Sequence, residues 1–151
     1  ILVVAPVSND SAVRLLADGA LVALSANLAN LFDRAPGRVA KVSLLMAAVL
    51  VGVTAAAPTL LGLAVVSGAA LALLVPDLRE RMMLGDAGAN PLGATLGLAT
   101  VLTVSPVART WVLVGVLALN LVSERVSFSR VIDRVAPLRA LDRMGRERPE
   151  G

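Results

Sequence analysis

Long apolar runs separated by short polar segments fill the chain from residue 12 to residue 122. Each run is too long and too uniformly apolar for a membrane β-strand, whose side chains alternate between lipid and lumen, so the pattern predicts helices. Several runs are near or below the roughly 20 residues that a helix needs to cross hydrocarbon, so the sequence gives only approximate ends for them. The sequence predicts an all-α, polytopic transmembrane helix bundle with about five spans, at about 12–32, 39–56, 58–75, 90–104 and 108–122.

The segment after residue 122 is polar and rich in arginine, and Pro137 interrupts it. Its apolar residues recur at roughly helical spacing, which predicts an amphipathic segment on the inner membrane surface. Arginines there would favour anionic lipid headgroups or a phosphate-bearing substrate, and the alternative is a solvated tail that only fixes topology. We therefore divide the chain into a transmembrane helical region, 1–122, and a basic amphipathic cytoplasmic tail, 123–151.

Composition supports a membrane protein. The chain is 57% hydrophobic and its mean hydropathy is +0.82. It contains no cysteine and no histidine, which excludes disulfides, thiolate metal sites and the commonest general base. The net charge of +3 comes from arginines at the ends of the apolar runs. It indicates membrane topology, and no nucleic-acid motif accompanies it.

The basic residues predict an orientation. If the loop that holds Asp33 lies in the cytoplasm, all of the 14 Lys and Arg residues except Arg14 and Arg109 fall on the inside. Such an asymmetry is typical of a multi-pass membrane protein, here with the N-terminus outside and the C-terminus in the cytoplasm. The same orientation puts Asp33 and Asp86 on one membrane face.

Asp33 and Asp86 each lie where an apolar run meets a polar loop. An acid at the edge of a bilayer is costly unless it is solvated or paired, so it indicates a functional site. Asp86 belongs to the motif Gly85-Asp86-Ala87-Gly88, in which a carboxylate at a helix start can bind a hard cation and free backbone N–H groups favour phosphate. The alternative is an N-terminal cap of the next helix.

Polar residues also precede and follow the Asp33 loop. Asn27, Asn30 and Asp33 are three residues apart, so they share a helix face near its cytoplasmic end. Basic residues suited to phosphate follow; they are Arg34, Arg38 and Lys41. For the asparagines, the alternative is hydrogen bonding between helices. For the basic residues, the alternative is anchoring at the inner membrane surface, and we favour this alternative for the arginines taken alone.

The fourth span carries small residues at helical spacing. Gly93 and Gly97 are four residues apart, and this spacing lets two helices approach closely. We interpret the pair as a packing feature of the bundle.

Taken together and in this order, the two motifs resemble those of the polyprenyl-phosphate N-acetylhexosamine-1-phosphate transferases (glycosyltransferase family 4), which include phospho-N-acetylmuramoyl-pentapeptide transferase. Members carry N-x-x-N-x-x-D-G-x-D-G and, two spans later, G-D-x-G-S. The first motif here reads N-L-A-N-L-F-D-R-A-P-G at 27–37, and the second reads G-D-A-G-A at 85–89. The resemblance covers most of the chain, as the C-terminal half of such an enzyme, and a fragment of this length alone is expected to be inactive.

The resemblance implies transfer of a phospho-sugar from a UDP-sugar to a polyprenyl phosphate, with release of UMP, in the synthesis of cell-envelope glycans such as peptidoglycan. It implies magnesium as cofactor with Asp86 as its ligand, and it gives catalytic roles to Asp33 and Asp86. Membrane lipids are further expected partners, and a homodimer is left open. The implied substrate-binding residues are Asn27, Asn30, Arg34, Arg38, Lys41, Gly85 and Gly88.

The chain also departs from the family pattern. Pro36 stands where the family has the second aspartate of the first motif, Arg34 and Ala89 replace a glycine and a serine, and Met83 stands where relatives often have an aromatic residue. The histidines of the family's cytoplasmic loop have no counterpart. The alternative is a non-catalytic relative that binds a lipid-linked or nucleotide ligand or an envelope-assembly partner, and a second alternative is a membrane scaffold or transporter fragment.

Overall fold

The computed structural model describes residues 12–55 and 57–146. Within these two ranges every regular element is helical, which confirms the all-α prediction. The elements are α1 (Ala12–Phe32), α2 (Arg38–Val53), a 3₁₀ helix (Pro58–Leu60), α3 (Leu61–Leu78), α4 (Gly85–Thr103), α5 (Pro106–Ser123), α6 (Phe128–Arg134) and α7 (Ala136–Arg143).

In the described part of the chain, three helical segments are long and apolar enough to cross a bilayer: Ala12–Phe32, Pro58–Leu78 and Pro106–Ser123. The expected number was about five. The helix α2 has only 16 residues, which is short of the roughly 20 that a crossing needs. The helix α4 has 19 residues but begins with a polar turn that contains Asp86 and Asn90.

One helix end differs from the prediction in a way that matters for the site. The third span was expected to end near Val75, before Pro76, but α3 continues to Leu78. Proline lacks one backbone N–H, so within the last turn it removes a single helical hydrogen bond without ending the helix at once. The amide of Arg79 still donates to the carbonyl of Val75 at 3.2 Å. This extra turn carries Asp77, which is buried.

The helices α1 and α4 pack against each other at very short range. A Cβ added at Gly93 would lie 2.8 Å from Ala26 Cα and would clash with the carbonyl oxygen of Ser25. A Cβ added at Gly97 would lie 2.9 Å from Val22 Cα. The close approach predicted from the glycine spacing is therefore confirmed.

Two polar contacts join α1 to α5. Arg109 Nη1 donates to Asp18 Oδ2 at 2.6 Å near the start of both helices. Asn27 Nδ2 donates to Asn120 Oδ1 at 2.6 Å near the end of both. The start of α1 contacts the start of α5, and the end of α1 contacts the end of α5, so the two helices run in the same direction.

We predict that Gly93→Ala destabilises the bundle by about 1–3 kcal/mol, the usual cost of overpacking a tight contact. The new methyl group would meet backbone atoms of α1, which cannot rotate away as a side chain could. Thermal unfolding in detergent measures the effect.

Gly115→Ala in α5 is the matched control, since a Cβ there would have nothing within 4 Å. Alanine is the better helix former, so this variant should be as stable as the parent or slightly more stable. Equal losses in the two variants would contradict the close packing at Gly93.

Candidate functional site

A pocket of about 400 Å³ lies where the loop after α1 meets the end of α3 and the segment that follows it. We call it the acidic pocket, because three of its lining residues carry carboxylates. Its lining consists of Asp33, Arg34, Ala35, Pro36, Asp77, Glu80, Met82 and Met83.

A hydrogen bond links the α1–α2 loop to α3. The backbone N–H of Gly37 donates to Asp77 Oδ2 at 3.1 Å, in a buried position. Gly37 has φ 68°, a left-handed conformation that glycine adopts without steric cost. Any side chain at this position would also collide with Leu78. The loop is therefore held on the end of α3 at a point where only glycine fits.

The electrostatic environment of Asp33 includes groups from both predicted motifs. Burial raises the pKa of Asp33, and the negative charges of Asp77 and, more weakly, of Asp86 raise it further. A hydrogen bond from the backbone N–H of Gly85 acts in the opposite direction. Asp33 thus contacts the glycine that precedes Asp86 and lies within electrostatic reach of two other carboxylates.

Asp86 is exposed in the first turn of α4. The N-cap position belongs to Leu84, so Asp86 does not occupy the capping position that we considered as its alternative role. Gly85 has φ 59°, and this left-handed residue turns the chain into the helix beside Asp33. Gly88, the last residue of the motif, donates its N–H to the carbonyl of Leu84 at 3.2 Å.

The acidic pocket suits a hard cation that is shared with a ligand. Mg²⁺ keeps several waters and is usually held by one or two carboxylates together with substrate phosphates. Among the described residues, no three His, Cys, Asp or Glu side chains form a ready-made metal cage. Burial is the largest cause of the raised pKa of Asp33, and the negative charges of Asp77 and Asp86 add to it. A divalent cation in the pocket would favour the ionised carboxylate. Asp33 lines the pocket beside Asp77 and Glu80. Asp86 is exposed at the start of α4 and is not part of the lining, so Asp33 is the predicted acid that could hold the cation there.

The asparagines of the first motif have different surroundings. Asn27 contacts Asn120 of α5, which is buried and also donates to the carbonyls of Leu24 at 3.2 Å and Val116 at 2.8 Å. This is the hydrogen bonding between helices that was the alternative for Asn27. Asn30 is half-buried one turn further along α1 and is not part of the pocket lining.

Arg38 and Lys41 are directed toward the tail. Arg38 is buried and donates from Nε and Nη2 to the two carboxylate oxygens of Asp142, at 2.6 and 3.0 Å. Its Nη1 donates to Ser129 Oγ at 2.8 Å. Lys41 Nζ donates to three carbonyl oxygens at the end of α7, including that of Asp142 at 2.5 Å. Of the predicted basic residues, only Arg34 lines the pocket.

Arg146 completes this contact from the tail side. Its Nη2 donates to Asp142 Oδ2 at 2.6 Å, and its Nε donates to the carbonyl of Pro36 at 3.1 Å. We call the four charged residues Arg38, Lys41, Asp142 and Arg146 the tail clasp. Burial alone would raise the pKa of Asp142, but the hydrogen bonds and charge of Arg38, with the charges of Arg146 and Lys41, hold it below its usual value.

Three polar residues of this region were missed in the sequence analysis. Asp77 was assigned to a polar loop because Pro76 was taken as a helix end, although it also lies at the edge of an apolar run. Asn120 is an amide inside an apolar run, a signal that could have been used. Asp142 is one acid in an arginine-rich tail, and nothing in its local sequence marks it.

Comparisons of the chain with protein-family models, with curated proteins and with solved structures found no match. The fold and the site define a class: an all-helical protein that has three candidate membrane-spanning helices and an acidic pocket at one end of the bundle.

We predict that Asp142→Ala opens the tail, because it leaves the buried Arg38 guanidinium without its carboxylate. Breaking a buried ion pair from one side costs about 3 kcal/mol or more, which corresponds to an increase of about 10²-fold in the hydrogen-exchange rates of α7 amides. Hydrogen–deuterium exchange of the protein in detergent measures this change.

Asp133→Ala is the matched control in the same tail. Asp133 is exposed, and its Oδ1 lies 3.7 Å from Arg143 Nη2. Exposed ion pairs contribute about 0–1 kcal/mol to stability.

The pKa of Asp142 is lowered in the folded protein. The stabilisation from its ionised carboxylate is therefore complete above the unfolded pKa of about 3.9 and is lost as the pH falls through the folded pKa. The difference between parent and Asp142→Ala should therefore shrink on acidification. Similar exchange rates in the two alanine variants at neutral pH would contradict the clasp.

Proposed function

We propose that the chain is part of an integral membrane sugar-1-phosphate transferase whose reaction site is the acidic pocket. The main support is the proximity of the two motifs, because Asp33 lies close enough to the backbone N–H of Gly85 and to the carboxylates of Asp77 and Asp86 for each of them to shift its pKa. In the sequence Asp33 is more than forty positions from each of the other three residues. Their meeting at one end of the bundle is what a shared phosphate-and-cation site requires.

The chemistry of phosphoryl transfer suits these groups. An oxygen of the polyprenyl phosphate would attack the β-phosphorus of the UDP-sugar, and the bond to the bridging oxygen would break with UMP as leaving group. Such a reaction needs positioning and neutralisation of charge more than covalent chemistry. Asp33 and Asp86 would hold Mg²⁺, which neutralises the diphosphate and stabilises the departing UMP. Arg34, which lines the pocket, would contact a phosphate oxygen.

We further propose five crossings, with α2 and α4 spanning the bilayer beside the three longer helices. The parallel direction of α1 and α5 fits an odd number of crossings from α1 to α5, which includes both three and five. The charge asymmetry of the sequence supports a cytoplasmic location for the acidic pocket and the tail, in a bacterial plasma membrane.

The surroundings of the first motif, residues 27–37, favour a second function, which is ligand or partner binding without catalysis. Pro36 lines the pocket where the transferases have an aspartate, and Arg38 and Lys41 bind the tail. The pocket thus has fewer groups for catalysis than the family pattern provides. This favours a non-catalytic relative that binds a lipid-linked or nucleotide ligand, or an envelope-assembly partner.

We predict UMP release when membranes that contain the full-length gene product receive UDP-GlcNAc, undecaprenyl phosphate and Mg²⁺. Asp86→Asn should lower the rate by about 10²-fold or more, since each 1.4 kcal/mol of lost transition-state stabilisation is about tenfold. Asp133→Asn, in the exposed part of the tail, should leave the rate unchanged. A UMP assay with several UDP-sugars tests the proposal.

The two functions give different outcomes. A complete lack of UMP release, with UDP-sugar binding that Asp86→Asn abolishes, would overturn the transferase and support the binding relative. If neither turnover nor binding of any UDP-sugar is found, the transferase and the nucleotide-binding form of the second function both fail.

We also predict the topology. The chain has no native cysteine, so Arg81→Cys and Arg125→Cys introduce single, exposed thiols on the proposed inner side. In intact cells these should resist an impermeant thiol reagent, whereas Ala108→Cys at the exposed start of α5 should react. Labelling of Arg81→Cys or Arg125→Cys from outside would overturn the orientation.

A further inference from the structure

The outer surface of the tail carries an unusual strip of apolar side chains. Met144 is 61% exposed and Leu141 58% exposed, although both lie outside the candidate spans. A concentration of exposed large apolar residues marks an interaction site, whereas single scattered ones do not. We call this set the tail strip; its members are Val131, Val135, Leu138, Leu141 and Met144.

Exposed arginines accompany the tail strip along both short helices. They are Arg130, Arg134, Arg139 and Arg143. The two aspartates of these helices do little to balance them on the outside, because Asp142 is turned inward to Arg38 and only Asp133 remains exposed. The outer surface of the tail is therefore both apolar and positively charged, the combination that binds anionic membrane surfaces.

The position of the tail points to the same partner. The tail directly follows α5, a candidate span that ends at Ser123. Its start is fixed to the end of α1, because the rings of Phe32 and Phe128 stack with centroids 5.0 Å apart. Its end is fixed to the start of α2 by Arg38 and Asp142. The tail strip is thus held at the level where the helices end, and in a membrane this is the headgroup region.

We propose that the tail strip binds the surface of the anionic bilayer in which the protein resides, with its leucines among the upper acyl chains and the neighbouring arginines on lipid phosphates. This inference requires insertion in a membrane and does not depend on the transferase reaction. It gives the tail a double role, since the side that carries Asp142 holds the loop of the acidic pocket while the tail strip holds lipid.

Single cysteines with a polarity-sensitive fluorophore test the proposal in the intact chain. The two positions are Leu141→Cys on the tail strip and Asp133→Cys outside it, whose side chain is 55% exposed. Both side chains are exposed, so neither label disturbs a packed core, and size-exclusion chromatography checks each variant. The proteins are reconstituted into phosphatidylcholine vesicles with or without phosphatidylglycerol, each carrying spin-labelled lipid as quencher.

We expect quenching at Leu141→Cys to exceed that at Asp133→Cys by roughly twofold or more in vesicles with phosphatidylglycerol, and to weaken without it or at high salt. Weak and equal quenching at both positions would place the tail in water and overturn the proposal. A shielded but unquenched label at Leu141→Cys would mean that protein, such as a second copy, covers the tail strip, which also overturns it. Equal quenching in both kinds of vesicle would overturn the role given to the arginines.

Discussion

The close contact between α1 and α4 is the constraint on which the candidate site depends. Gly93 and Gly97 remove the side chains that would otherwise separate the two helices. In the same contact, Ala29, Val39 and Ala89 form one buried cluster that joins the end of α1 to the starts of α2 and α4. Asp33 lies one residue beyond α1, and Asp86 lies in the first turn of α4. The packing of small residues therefore brings the two acids together, although neither acid takes part in it.

Charge is divided between the two sides of the α1–α2 loop. Asp33 and Asp77 face the pocket, whereas Arg38 and Lys41 face the tail. Gly37 stands between these groups and donates its N–H to Asp77. If the basic residues turned inward, they would neutralise the pocket and compete with a cation. From the tail side, the positive charges of Lys41 and Arg146 still act on the carboxylate of Asp77, so the tail clasp shapes the electrostatics of the site without lining it.

The sequence predicted the parts of this structure that depend on local pattern. The apolar runs predicted helices within a few residues of their observed ends, and the spacing of Gly93 and Gly97 predicted close packing. The same reasoning failed at Pro76, because a proline in a last helical turn costs one hydrogen bond and tertiary contacts of Asp77 compensate for it. Arg38 and Asp142 are more than one hundred residues apart, and a contact of that kind leaves no periodic signal. The sequence could therefore place Arg38 at a membrane edge but could not tell whether a phosphate or a carboxylate would be its partner.

The two polar contacts of α5 connect the packing of the bundle to the tail. Only 6% of the α5 span is buried, and Asn120 is its one buried residue. In a bilayer, apolar side chains gain little by leaving lipid for protein, so helix association depends on close packing and on polar contacts. The pairs Asp18–Arg109 and Asn27–Asn120 supply such contacts at two levels of α5. The tail begins where α5 ends, so these pairs also set where Phe128 meets Phe32 and where Asp142 reaches Arg38. A change at Asn120 near the end of α5 would therefore affect the acidic pocket through the tail and the loop that the tail holds.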